Sequence, residues 1–218
     1  MKKLSIMMAI FIGLFSLADF SYAQDVYDQK FQIGVRGGAF LGTGEPANDL
    51  PMYGIYGRYN WNDKWHVGLS LDHLTGDYEE PYKILAIESA QETDASMTNL
   101  IVTVWGEREF RATKGNAKKL RPFVAGGFGI GFVDVDNVRG DTRDGDRYDI
   151  TTDPGTEFIP AIAIGLRYLL GRNWEVEVAG RYSYHISDWE VYDRESGRKD
   201  SLGNYSTYGI FIGIGLRF

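Results

Sequence analysis

The stretch Tyr208-Gly-Ile-Phe-Ile-Gly-Ile-Gly-Leu-Arg-Phe218 decides the fold. Tyr208, Ile210, Ile212, Ile214, Leu216 and Phe218 alternate with Gly209, Phe211, Gly213, Gly215 and Arg217. Side chains alternate faces along a strand, so period two puts the first set on one face and the second on the other. A face of isoleucine backed by glycine and arginine suits lipid outside and a crowded polar interior inside. At ~3.3 Å per residue and a tilt of roughly 40°, the segment rises about 25 Å, close to the thickness of a bilayer's hydrocarbon core.

The same parity runs back through the chain. Val124, Phe128, Ile130 and Phe132 oppose Ala125, Gly127, Gly129 and Gly131. Phe158, Ile162, Ile164, Leu166 and Tyr168 oppose Ala161, Ala163, Gly165 and Arg167, and Trp174, Val176, Val178, Tyr182 and Tyr184 oppose Glu175, Glu177, Arg181, Ser183 and His185. Earlier strands are expected near 30–41, 52–61, 64–74 and 97–110, giving eight. The links alternate in length. Asn62-Asp63, Ala112 to Lys119 and Gly171-Arg172 are short, while 42–51, 75–96, 134–155 and 187–203 are long and polar. The expected fold is all-β: an eight-stranded antiparallel transmembrane β-barrel, an up-and-down meander with short periplasmic turns and four long external loops. Closure pairs every backbone group, which lets a chain cross a bilayer without an apolar helix. Tyr59, Trp61, Trp65, Tyr168, Trp174 and Phe218 form one expected aromatic belt; Tyr53, Phe132, Phe158, Tyr184 and Tyr208 form the other.

Lys2 and Lys3, the apolar run Leu4 to Ala18 and the small residues of Ser21-Tyr22-Ala23 have the pattern of a secretory signal. Residues 1–23 are expected to be a cleaved signal peptide and 24–218 the barrel, exported to the bacterial outer membrane with both termini periplasmic. With no cysteine, neither disulfides nor thiolate metal sites contribute. A net charge of −7 argues against nucleic acid as a partner. No cofactor is expected, and the barrel is expected to be monomeric.

The inward positions carry Arg36, Arg58, Arg167, Arg181 and Arg217 with Asp72, Glu107, Glu109, Glu175 and Glu177. Eight strands enclose a space that side chains just fill. Charges there must be paired, so an ion-paired lumen is expected, either a plug or a gated narrow pore. The third external loop carries Asp134, Asp136, Asp141, Asp144, Asp146, Asp149 and Asp153. Asp141, Asp144 and Asp146 are candidate divalent-cation ligands, but the spacing lacks the later ligands of an EF-hand, and a solvated acidic loop is the preferred reading.

The closing stretch Tyr208 to Phe218 resembles the C-terminal assembly signal of outer-membrane barrels. The stretches Pro122-Phe-Val-Ala-Gly-Gly-Phe-Gly-Ile-Gly-Phe132 and Ile164-Gly-Leu-Arg-Tyr168 are similar to the small porin-like family typified by outer membrane protein A. The resemblance implies recognition of Tyr208, Ile210, Ile212, Ile214, Leu216 and Phe218 by barrel-assembly machinery, periplasmic chaperones in transit, and a surround of outer-membrane lipid and lipopolysaccharide. That superfamily holds adhesins, structural proteins, narrow pores and lipid-modifying enzymes. His185-Ile186-Ser187 resembles the His-x-Ser pair of lipid A deacylases, with Glu190, Glu195 or Asp200 to orient the histidine. However, parity turns both toward the lumen rather than lipid, and Asp188 stands where that family has Asn. The preferred reading is a non-enzymatic scaffold, then a narrow channel for small solutes, then a deacylase-like enzyme using His185 and Ser187.

Overall fold

The computed structural model describes residues 29–43, 49–62, 64–78, 95–110, 119–142, 145, 147–153 and 155–218. The signal segment 1–23 and most of the expected turn 112–119 lie outside these residues. Among the described residues, twelve strands form in chain order: β1 (Phe31–Thr43), β2 (Asp49–Asn60), β3 (Trp65–Tyr78), β4 (Ala95–Glu109), β5 (Leu120–Val135), β6 (Val138–Asp141), β7 (Arg147–Asp153), β8 (Thr156–Leu170), β9 (Trp174–His185), β10 (Trp189–Asp193), β11 (Lys199–Leu202) and β12 (Tyr205–Arg217).

Eight of them close an antiparallel barrel in the order β1-β12-β9-β8-β5-β4-β3-β2. Closure joins the two ends of the domain, with Val35 opposite Ile214 and Ile33 opposite Leu216. The Phe31 amide donates to the Phe218 carbonyl at 3.0 Å, and the Phe218 amide returns the bond at 2.9 Å. The C-terminal residue is therefore the last rung of the seam. Outward positions stay apolar and bare, Ile164 at 67% and Phe128 at 65% exposed. Such a surface is stable only against lipid.

The barrel strands run 12 to 16 residues, longer than the roughly 9–11 that a crossing needs. They extend into the expected loops 42–51 and 75–96. The larger departure concerns 134–155 and 187–203, expected as polar loops. These fold together into a second antiparallel sheet, ordered β11-β10-β7-β6. The cause is a short alternation: Tyr148, Ile150 and Thr152 on β7 and Trp189, Val191 and Asp193 on β10 are buried, and their neighbours are not. Neither loop alone has enough apolar surface to fold; paired, they share one face.

That face packs on the barrel mouth. Phe40, Leu50, Met52, Leu74, Met97 and Val133 from the barrel interior join Tyr148, Ile150, Trp189 and Val191 in one apolar core. Trp189 and Val191 are completely buried. The lumen thus has two layers, apolar at the loop end and charged at the turn end.

Candidate functional site

The inward glycines make room for the charged layer. A Cβ on Gly127 would fall 2.8 Å from the Trp105 ring, and one on Gly165 2.8 Å from the Phe123 ring. Large side chains therefore lie flat against the opposite backbone, and the space between them is left for long polar ones.

All ten charged residues expected in the lumen point inward and are at most 8% exposed. Near the turn end, Arg167 on β8 is central. It pairs with Glu107 in a close two-point contact, with Glu177 at 3.0 Å, Glu109 at 3.4 Å and Glu175 at 3.5 Å. Its guanidinium lies 3.8 Å from the centre of the Phe123 ring. Arg58 reaches across the barrel from β2 to Glu175 and Glu177, both at 3.0 Å, and to Glu107 at 3.4 Å. Arg217 holds Glu175 at 3.1 Å. Gln32 and Tyr56 complete the hydrogen bonding.

A second group sits one layer higher. Arg36 binds Asp72 through two nitrogens, at 2.8 and 2.6 Å, and Arg181 adds a third contact at 2.9 Å. Ser70 and Trp105 link this group to the wall. The cavity between the groups, beside Arg36, Arg58, Glu107 and Glu177, is about 30 Å³, room for on the order of two waters.

Arg121 also belongs to the lower group, pairing with Glu109 at 3.1 Å. The inward parity of Gly127 and Ala125 extends through Phe123 to it. Glu157, just past the expected loop 134–155, follows the same rule: it is fully buried, opposite in parity to Phe158.

His185 and Ser187, the candidate catalytic pair, are both buried, yet each binds elsewhere. His185 Nδ1 lies 2.8 Å from Glu157 Oε2 and Nε2 lies 3.1 Å from Thr207 Oγ1. The Ser187 hydroxyl donates to the Gly203 carbonyl at 3.4 Å. Glu157 also accepts from Asn99 and Tyr205, and the His185 ring stacks on Tyr205 at 4.2 Å. The acid beside the histidine is therefore Glu157, in place of the expected Glu190, Glu195 or Asp200. The group seals the boundary between the charged and apolar layers.

In the loop sheet, Asp149 pairs with Arg139 at 3.1 Å, and Asp141 faces Arg147 at 3.8 Å. Asp144 and Asp146 lie outside the described residues. Among the described residues no three His, Asp or Glu side chains gather as metal ligands would. Asp193 accepts hydrogen bonds from the Asp149, Glu195 and Ser196 amides and ties β10 to β7. Burial pushes its carboxyl up, but a hydrogen bond from the Ser196 side chain, with these amide bonds, outweighs burial and holds it below the usual carboxylate range.

Residues 7–218 match the family model described as the outer membrane protein beta-barrel domain. No curated protein matches the chain. Among solved structures, the outer membrane protein OprG from Pseudomonas aeruginosa is 13% identical, with a TM-score of 0.60 over 89% of this chain and 99% of that one. The outer membrane protein AlkL, determined in lipid bilayers, is 14% identical, with a TM-score of 0.54 over 92% and 95%. Neisserial surface protein A is 12% identical, with a TM-score of 0.53 over 86% and 96%. At these identities the likeness is one of fold.

Proposed function

This chain belongs to the outer membrane protein β-barrel domain family, and on that premise we propose that it is a non-enzymatic, non-conducting scaffold that holds a β-sheet platform outside the cell for surface binding. The observation that carries this reading is the filled lumen. Charged pairs occupy the turn end, and one apolar core runs from the barrel interior into the loop sheet. A sheet anchored through Trp189, Val191 and Ile150 is ordered before any ligand arrives, which lowers the entropic cost of binding. The turn end and both termini are assigned to the periplasm and the platform to the outside. The barrel-assembly machinery reads the Phe218 end, and lipid with lipopolysaccharide surrounds a monomeric wall. The engagement of His185 by Glu157 and Thr207 favours a structural role for it over hydrolysis.

Conductance tests the reading. Refolded, inserted protein in a planar bilayer is expected to give no discrete openings. Reproducible unitary steps would mean that the Arg58 and Arg167 pairs part to admit ions, and the narrow-channel reading would replace this one.

A further inference from the structure

On the outward face, at the levels of the two aromatic bands, stand His73, stacked on Tyr53, and Arg108. Arg108 lies at the turn end of β4, opposite Trp65 and Val124. Its guanidinium stands 5.7 Å from the centre of the Trp65 ring and 5.3 Å from that of Phe110. Among the described residues no carboxylate pairs with it. A cation on a lipid face is tolerated only near the interface. Rings hold its face but accept none of its five N–H groups in the plane of the fork.

Beside it the wall is open. The outward position at Gly57 has no side chain, and a groove of about 400 Å³ lies over it, walled by Phe31, Tyr59, Val67, Leu69, Val104 and Phe218. A Cβ on Gly57 would come no nearer than 3.9 Å to the Gln32 carbonyl, so the space is unfilled. The Val67 wall of the groove is thus one same-face step from Trp65, the ring against which the Arg108 cation stands.

We propose that this groove and Arg108 form a seat for one glycerophospholipid of the leaflet at the turn end, an acyl chain over Gly57 and the phosphate on the Arg108 fork. The charge and the apolar length match that ligand together, and a bidentate phosphate contact suits arginine's planar geometry. The inference rests on membrane insertion of the barrel and is independent of whether the lumen conducts.

The test is native mass spectrometry of the full chain in mild detergent, titrated with dioleoyl phosphatidylglycerol. One lipid per barrel is expected to persist. Gly57→Leu, which fills the groove, and Arg108→Gln each lower its occupancy about tenfold; Arg108→Lys retains part of it. Gly126→Leu, at an outward glycine outside the groove whose Cβ meets nothing within 4 Å, leaves it unchanged. Circular dichroism establishes that each variant is folded. Dioleoylglycerol, with the same chains and no phosphate, should bind about tenfold more weakly than the phospholipid. Equal occupancy across the variants, or equal binding of the two lipids, overturns the seat.

Discussion

Replacing Arg167 with methionine tests whether the lumen network is held by charge balance. Among the described residues the lower group contains Arg58, Arg121, Arg167 and Arg217 against Glu107, Glu109, Glu175 and Glu177, four of each sign. Arg167→Met keeps an unbranched stem of similar length, loses the guanidinium over Phe123, and leaves three cations among four carboxylates, the latter at most 5% exposed. Removing one partner of a buried pair costs about 3–5 kcal/mol, because the other charge loses its compensation without regaining water. The upper part of that range is expected here, since Arg167 serves four carboxylates. Arg167→Met with Glu107→Met restores three of each sign and should recover part of the loss, giving a coupling of about 2–3 kcal/mol in a double-mutant cycle. Urea unfolding of the four proteins in lipid vesicles, at one pH and salt concentration, measures it. A loss below about 1 kcal/mol for Arg167→Met, or purely additive losses in the double variant, would refute the balanced-network account.

Two further outcomes follow from the seam and the loop sheet. Deleting Phe218 removes both ladder bonds to Phe31 and the ring stacking at 6.2 Å; outer-membrane levels in expressing cells should fall severalfold, and normal levels would contradict its role at the seam. Because the folded-state pKa of Asp193 lies below its unfolded value, its contribution is present above the ordinary carboxylate pKa of ~3.9 and is lost as pH falls through the folded value. Amide exchange in β7 and β10, corrected for intrinsic rates, should lose protection as pH falls below ~3.9, and Asp193→Asn should lower it by ~1 kcal/mol at pH 7; a variant matching the native protein would remove Asp193 as the tie.

Parity made much of this molecule readable from its residues. Whether Arg36, Glu177 or Ile212 faces lumen or lipid depends on alternation within one strand, which is local geometry, so the ten interior charges and the apolar belt could be assigned without knowing any pairing. Arg121 and Glu157 obey the same alternation at the ends of their strands, next to the links, where alternation alone does not say how far a strand continues. Which charges meet is not local. Arg58 and Glu177 stand 119 residues apart and touch only because barrel closure and shear bring β2 and β9 to one level. The same holds for the loop sheet, where Ile150 and Asp193 become neighbours only once the barrel sets two loops side by side. A strand's sequence fixes its own faces; what those faces meet is set by register between distant strands, and that exists only in the closed structure.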